Sequence, residues 1–332
     1  MDQTLTELEP AEQPPVRRKS AKVTALLVVL GSGFVAWAAL PLADLDSNRY
    51  TAALVALTPY AVPLGLVVTL LALVLRRWLT ALVVGAVAVA LVTTVVPRAI
   101  PDSPTPVQGV PLRVLSANLY FGEADPVRVV ELVRDNQVDV LSLQELTPDE
   151  VEALDAAGLR SLLPHRVFQD HAGAEGSGIA SRFPLRELSL VPPTTMRQPS
   201  ALVDVPGPRD VEVVAVHPVI PVGSDSNGDW VRELNALPHA GKTPRVLAGD
   251  FNATLDHSPL GALLTRGYRD AAAITGSGLS PTWPVRDTWL APPPVTIDHV
   301  LISDGIAVQD YRTFEVAGAD HRAVLAHVVV PG

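Results

Sequence analysis

Asp250 and Asn252 stand one residue apart at the end of an apolar run, in Arg245-Val-Leu-Ala-Gly-Asp-Phe-Asn-Ala-Thr254. On an extended backbone, side chains two apart share a face, so both can reach one point just past a buried strand. A carboxylate beside a carboxamide offers acceptors to water or a hard metal ion and a donor to a phosphate oxygen. Taken alone, the pair also fits an Asx turn that closes a strand.

The pair has company. Leu112–Ala117 reads as a strand that ends at Asn118. Val138–Leu143 ends at Gln144-Glu145, and Val211–Val216 ends at His217. Thr296-Ile297 leads into Asp298. Ala319 precedes Asp320-His321 and a last strand, Ala323–Val330. Gly178–Ser181 runs into Arg182. A single buried His or Asp reads as a satisfied structural group. Six of these strands end or break at Asn, Glu, His, Asp/Asn, Asp or Asp-His, which points to a site built along one sheet edge, where a rigid scaffold lets such ends converge.

These stretches resemble the endonuclease/exonuclease/phosphatase superfamily, in that family's order and over nearly all of 112–332. They are Leu115-Ser-Ala-Asn118, Leu143-Gln-Glu145, Gly178–Arg182, Val214-Ala-Val-His217, Gly249-Asp-Phe-Asn252, Ile297-Asp298-His299 and Ala319-Asp-His321. The resemblance implies a four-layer α/β sandwich, two β-sheets face to face with helices outside. It also implies a metal-dependent phosphoester hydrolase: a phosphodiesterase, nuclease or phosphatase. His217-Pro218 departs from the family, where an apolar residue usually follows the histidine.

Phosphoester hydrolysis requires neutralised phosphoryl oxygens, an activated in-line water and a protonated leaving oxygen. Mg2+ (or Mn2+) suits the first, since it takes oxygen ligands and keeps several waters. Glu145 is the main candidate ligand, as the resemblance also implies, with Asn118 and Asp320 completing the shell. Asp250 can take the water's proton, and Asn252 can hold water or a phosphate oxygen. His321 with Asp298 forms a second acid/base unit, and His217 can donate to the phosphate or leaving oxygen. Either Asp250 or His321 can serve as the base. Arg182 is a weaker phosphate-binding candidate that equally fits a surface cap. Trp283 can line a substrate cleft but fits core packing better, and His299 reads as packing beside the site.

Two other readings are available. A serine hydrolase would use Ser177 or Ser181 with His321, but no Gly-x-Ser-x-Gly elbow exists and Asn118, Glu145 and Asn252 would lack a role. A non-catalytic binding module would have lost acids or histidines, and none is missing.

The elements that must carry this domain lie upstream. Residues 1–22 are polar and proline-bearing, a disordered cytoplasmic tail by composition. Val23–Leu42, Thr51–Leu75 and Leu79–Val96 are free of charge and about the length of a bilayer crossing, which gives a three-helix transmembrane anchor over 23–96. Arg17, Arg18, Lys19 and Lys22 before the first span, and Arg76-Arg77 between the second and third, predict a cytoplasmic N-terminus. The domain then lies on the outer face of the cell membrane. Residues 97–111 carry five prolines and predict an extended linker. Hydrophobic residues make up 48% of the 332-residue chain, concentrated in the first hundred, and the absence of cysteine excludes disulfides and thiolate chemistry. From residue 99 on there are 17 basic and 29 acidic residues, a net of −12. With no Lys/Arg-rich run, that balance tilts slightly toward a lipid or small phosphoester, while a local basic cleft keeps nucleic acid open as partner.

Overall fold

The computed structural model describes residues 20–103, 107–223, 226–285 and 291–332. Most of the predicted tail, with Arg17, Arg18 and Lys19, lies outside the described residues, as do Pro104 and Pro106 of the predicted linker.

Twelve strands form two six-stranded sheets. The first contains β1 (Gly109–Asn118), β2 (Val140–Gln144), β3 (His165–Gln169), β4 (Ser177–Ser181), β11 (Ala307–Glu315) and β12 (Arg322–Pro331), in the order β11-β12-β1-β2-β4-β3. The second contains β5 (Leu185–Leu188), β6 (Ser200–Val203), β7 (Val211–Val216), β8 (Arg245–Asp250), β9 (Tyr268–Asp270) and β10 (Asp298–Ser303), in the order β5-β6-β7-β8-β10-β9. Strands β1 and β2 pair in parallel, as do β7 and β8, so Asn118, the Glu145 end of β2, His217 and Asp250 emerge on corresponding strand ends.

The strands are apolar on both faces because both faces are covered. One face of each sheet meets the other in a core that includes Val114, Val140, Ile179, Val213, Ala248 and Val300. Ser116, Ser142 and Gln144 are polar residues on that face and hydrogen-bond to one another; Ser142 Oγ also donates across the layers to the Ala248 carbonyl at 2.8 Å. The outer face of the first sheet packs on helices Pro126–Asp135 and Pro148–Ala156. The outer face of the second packs on Asn227–Asn235 and Ser258–Leu264. This is the expected four-layer sandwich.

Four helices precede it: α1 (Ala21–Leu42), α2 (Arg49–Ala56), α3 (Thr58–Val74) and α4 (Trp78–Val95). Two, α1 and α4 with its continuation to Ala99, are long and apolar enough to cross a membrane; α2 and α3 make a third crossing only if taken together, bent by 68°. The continuous second span expected over Thr51–Leu75 is therefore broken. Pro59 has no N–H for helical continuation, and Thr58 Oγ1 donates instead to the Val55 carbonyl at 2.6 Å. Asn48 caps α2 by accepting from Tyr50 and Thr51 N–H. Arg77 donates to the Ser20 carbonyl at 3.1 Å, so the start of α1 and the α3–α4 turn share one end of the bundle.

The linker also differs from expectation. Val96–Ala99 extends α4 as a 3-10 turn, and the strand that follows begins at Gly109 rather than Leu112. Arg98 grips Asp256 with both terminal nitrogens at 2.9 Å, and its carbonyl accepts from Gly278 N–H. Asp102 N–H donates to the Ile274 carbonyl. The described part of the linker is thus docked, because its polar backbone and Arg98 find partners on the domain surface.

Candidate active site

Seven catalytic-edge residues come from six strand boundaries. Asn118 closes β1, Glu145 follows β2, His217 follows β7, Asp250 closes β8, Asp298 opens β10, and Asp320-His321 precede β12. Gly249 explains how Asp250 gets there. A Cβ at 249 would lie 1.9 Å from the Val216 carbonyl oxygen, so only glycine lets β8 approach β7 so closely.

Asn118 ties the two halves together. Its Nδ2 donates to Glu145 Oε1 at 3.2 Å and to Asp250 Oδ2 at 3.1 Å, across the two sheets. Glu145 Oε2 accepts from Phe121 N–H at 2.8 Å. Asp250 Oδ1 accepts from Asn252 N–H at 2.8 Å, so the Asx turn is present and coexists with a side chain aimed into the site. Asn252 Nδ2 is occupied by the Pro218 carbonyl at 3.0 Å, which fixes the chain after His217 despite the proline. His321 lies between acids: Nδ1 is 2.9 Å from Asp298 Oδ2, and Nε2 is 3.7 Å from Asp250 and 4.0 Å from Asp320. His217 Nε2 is 4.0 Å from Glu145, while its Nδ1 is buried without a partner.

The backbone here is held away from its easy conformations. Tyr120, Phe121, Glu145 and Asn252 are non-glycine residues at φ between 47° and 56°. Such residues are uncommon in the left-handed region and persist where surrounding contacts over-determine them.

Burial and charge set the protonation states. Burial pushes the Asp250 carboxyl up to about 7, opposed by His321 and reinforced by Asp298. Burial works against charge on His321, but Asp298, Asp250 and Asp320 outweigh it and raise that imidazole to about 10. His217 goes the other way, down to about 3, through burial and the neighbouring His321 charge. Burial also raises Glu145, against the Phe121 N–H and Asn118. The edge therefore holds one charged and one neutral histidine.

Asp250, Asp298 and His321 each present a ligand atom within 4.8 Å of the others, close enough to hold a metal ion, but a protonated His321 bonded to Asp298 has no lone pair to give it. Asp320 adds a buried Oδ1 with no hydrogen-bond partner. A donor set of several carboxylate oxygens fits a hard divalent cation.

The arrangement corrects two expectations. Arg182 is not at this edge: its N–H donates to the Asp139 carbonyl, and its guanidinium meets Asp139 at 3.4 Å. Asp139 precedes β2 and Glu145 follows it, so at about 3.3 Å per residue Arg182 sits roughly 20 Å away. The serine-hydrolase reading also fails, since Ser177 and Ser181 are wholly buried and Ser181 Oγ accepts from Phe183 N–H. Trp283, expected to be packing, donates from Nε1 to Asp320 Oδ2 at 3.1 Å and stands 6.3 Å from the His321 ring. Its setting in Pro281-Thr-Trp-Pro284 was the available signal. His299 is beside the site, as expected: it bridges Asp270 and the Ala253 carbonyl, bracing the chain just past Asn252.

The sequence model of the Endonuclease/Exonuclease/phosphatase family matches residues 115–321. Among curated proteins, none matches this chain. Among solved structures, the fold is similar to an endonuclease/exonuclease/phosphatase from Beutenbergia cavernae, at 22% identity and TM-score 0.52, over 67% of this chain and 72% of that one. It is also similar to D. rerio TDP2 complexed with single strand DNA product, at 16% identity and TM-score 0.51, over 66% of this chain and 98% of that one. The matched span runs through every strand boundary from Asn118 to His321, and this chain belongs to the endonuclease/exonuclease/phosphatase family.

Proposed function

We propose that this chain is a metal-dependent phosphoester hydrolase, anchored in the cell membrane with its N-terminus inside and its catalytic layers outside. The observation that carries the reading is the Asn118 bridge. One amide joins Glu145 to Asp250, and Asp250 in turn faces a charged His321 backed by Asp298. Mg2+ or Mn2+ would be held chiefly by Glu145, with Asn118 and Asp320 directly or through water, and would neutralise phosphoryl oxygens when bound.

The protein groups divide the remaining work. Asp250, with a carboxyl near neutrality, accepts the proton of the attacking water. Asn252 orients that water or a phosphate oxygen. His321 carries a proton and gives it to the leaving ester oxygen, while Asp298 holds the ring through Nδ1. Neutral His217 donates a hydrogen bond to the phosphoryl group. One water adds, one P–O ester bond breaks, and the products are an alcohol and a phosphate with one ester fewer.

The test uses the full chain in phosphatidylethanolamine/phosphatidylglycerol nanodiscs with ethyl p-nitrophenyl phosphate. Turnover should require Mg2+ and vanish in EDTA. Glu145→Gln keeps the shape and removes the charge, and should lower turnover about 10²-fold or more and raise the Mg2+ needed. Full activity in EDTA would overturn the reading.

A further inference from the structure

The helices do not merely precede the catalytic layers; they hold the loops that leave the catalytic edge. Asp46, between α1 and α2, is buried and accepts from Ser258 N–H at 2.7 Å and Ser258 Oγ at 2.6 Å. His257 Nε2 lies 3.0 Å from the Ala52 carbonyl of α2. Tyr60 Oη, at the start of α3, donates to the Pro294 carbonyl at 2.7 Å. Asp256 is gripped by Arg98. Asp256 is four residues past Asn252, and Pro294 is four before Asp298. Four residues span at most about 14 Å, so two catalytic-edge residues lie within that reach of anchor contacts.

Exposed apolar side chains also stand on segments that leave this edge. Among the described residues beyond 100, the large apolar side chains that stand exposed are Phe121, Val127, Ile220, Val222 and Leu279. Phe121 adjoins Glu145 through its N–H. Ile220 and Val222 lie on the loop that leaves His217-Pro218, and that loop returns to the anchor where Asn227 Nδ2 meets the Asp46 carbonyl at 3.5 Å. Leu279 follows Gly278, which is bonded to Arg98. Exposed apolar groups on several segments beside one polar site offer a contact surface. Here the helices that would enter the bilayer start from that surface.

We propose that this rim rests in the membrane interface and that the site draws its phosphoester from an amphiphile of the same membrane. The proposal rests on the phosphoester-hydrolase reading. Charge agrees with it. A polynucleotide needs several phosphates neutralised by Lys and Arg, and the region beyond residue 98 is net −12. A single headgroup needs only the charge held within the site.

Two measurements on the full chain in phosphatidylethanolamine/phosphatidylglycerol vesicles test this. The chain has no cysteine, so Val222→Cys and Arg182→Cys each carry one fluorophore. Spin-labelled lipid should quench the label at 222 at least several-fold more than the label at 182, on the opposite edge. Equal quenching overturns the docking. The second measurement compares hexadecyl p-nitrophenyl phosphate in the vesicles with soluble ethyl p-nitrophenyl phosphate, which share one reacting group. The hexadecyl ester should be hydrolysed at least 10-fold faster. Tethering alone raises local concentration, so the double variant Ile220→Ser/Val222→Ser decides. It should lose most of that preference and keep the ethyl ester rate. An undiminished preference, or a single-stranded oligonucleotide cleaved faster than the hexadecyl ester, overturns the proposal. No turnover of either ester with Mg2+ would instead remove the hydrolase reading, while the quenching result would still report on the rim.

Discussion

The two edges of the sandwich treat buried acid in opposite ways. At the edge away from the site, three carboxylates are each held by an arginine: Asp139 with Arg182, Glu212 with Arg245, and Asp155 with Arg166. At the catalytic edge, Glu145, Asp250, Asp298 and Asp320 converge around two histidines, and none of these four carboxylates forms a salt bridge with Arg or Lys among the described residues. Buried charge is costly unless paired. One edge spends its polar residues on stability, and the other keeps acid available for chemistry.

That contrast can be broken most severely at His321. His321→Ala should cut turnover about 10²–10⁴-fold, the contribution of a positioned acid or base. If His321 and Asp298 act as one unit, the double variant with Asp298→Asn should be little worse than His321→Ala alone. Turnover and thermal stability of the three variants, measured together, check this. Near-normal turnover in His321→Ala, or fully multiplicative losses, would make the pair a structural tie like those at the other edge.

The opposite edge should respond the other way. Arg245→Ala strands Glu212 and also frees Tyr268 Oη and the His239 carbonyl, both hydrogen-bonded by the guanidinium. Breaking a buried pair costs on the order of 3 kcal/mol, so the denaturation midpoint should drop clearly while turnover per folded molecule stays constant. A fall in turnover without a fall in stability would blur the distinction.

The smallest effect concerns Glu150, an acid away from both sets. Burial, helped by Asp125, pushes its carboxyl from 4.5 up to about 7. The folded state then binds that proton more tightly than the unfolded chain does. Its contribution is fully present below about 4.5 and is lost as pH rises through about 7. Glu150→Gln should therefore gain stability relative to the parent between those values, and melting curves at pH 4.5, 6 and 8 would show it. A constant difference across that range would mean Glu150 ionises without penalty.

Much of the site was legible because each functional residue interrupts an apolar run, which is a local signal. Asn118, Glu145, His217, Asp250, Asp298 and His321 all meet at one edge for that reason. Arg182 misled because a strand end does not say which end. Strand β4 runs antiparallel to β2, so the residue after β4 lies beside the start of β2. Trp283, which bonds Asp320, is also bridged to Val295, and that pairing has no local mark. The break in the second apolar stretch did have one, Pro59. The grip of Arg98 on Asp256, 158 positions apart, had none.

The left-handed residues at the catalytic edge bear on how this chain tolerates improvement. Glycine is the residue that relaxes such positions, and a substitution chosen only for thermal robustness would put it at 120, 121, 145 or 252. Two of those four positions carry the Glu145 carboxylate and the Asn252 carboxamide, the groups on which the proposed hydrolysis rests. Stability and activity are therefore opposed at the same few backbone angles, and gains in robustness have to come from elsewhere in the molecule.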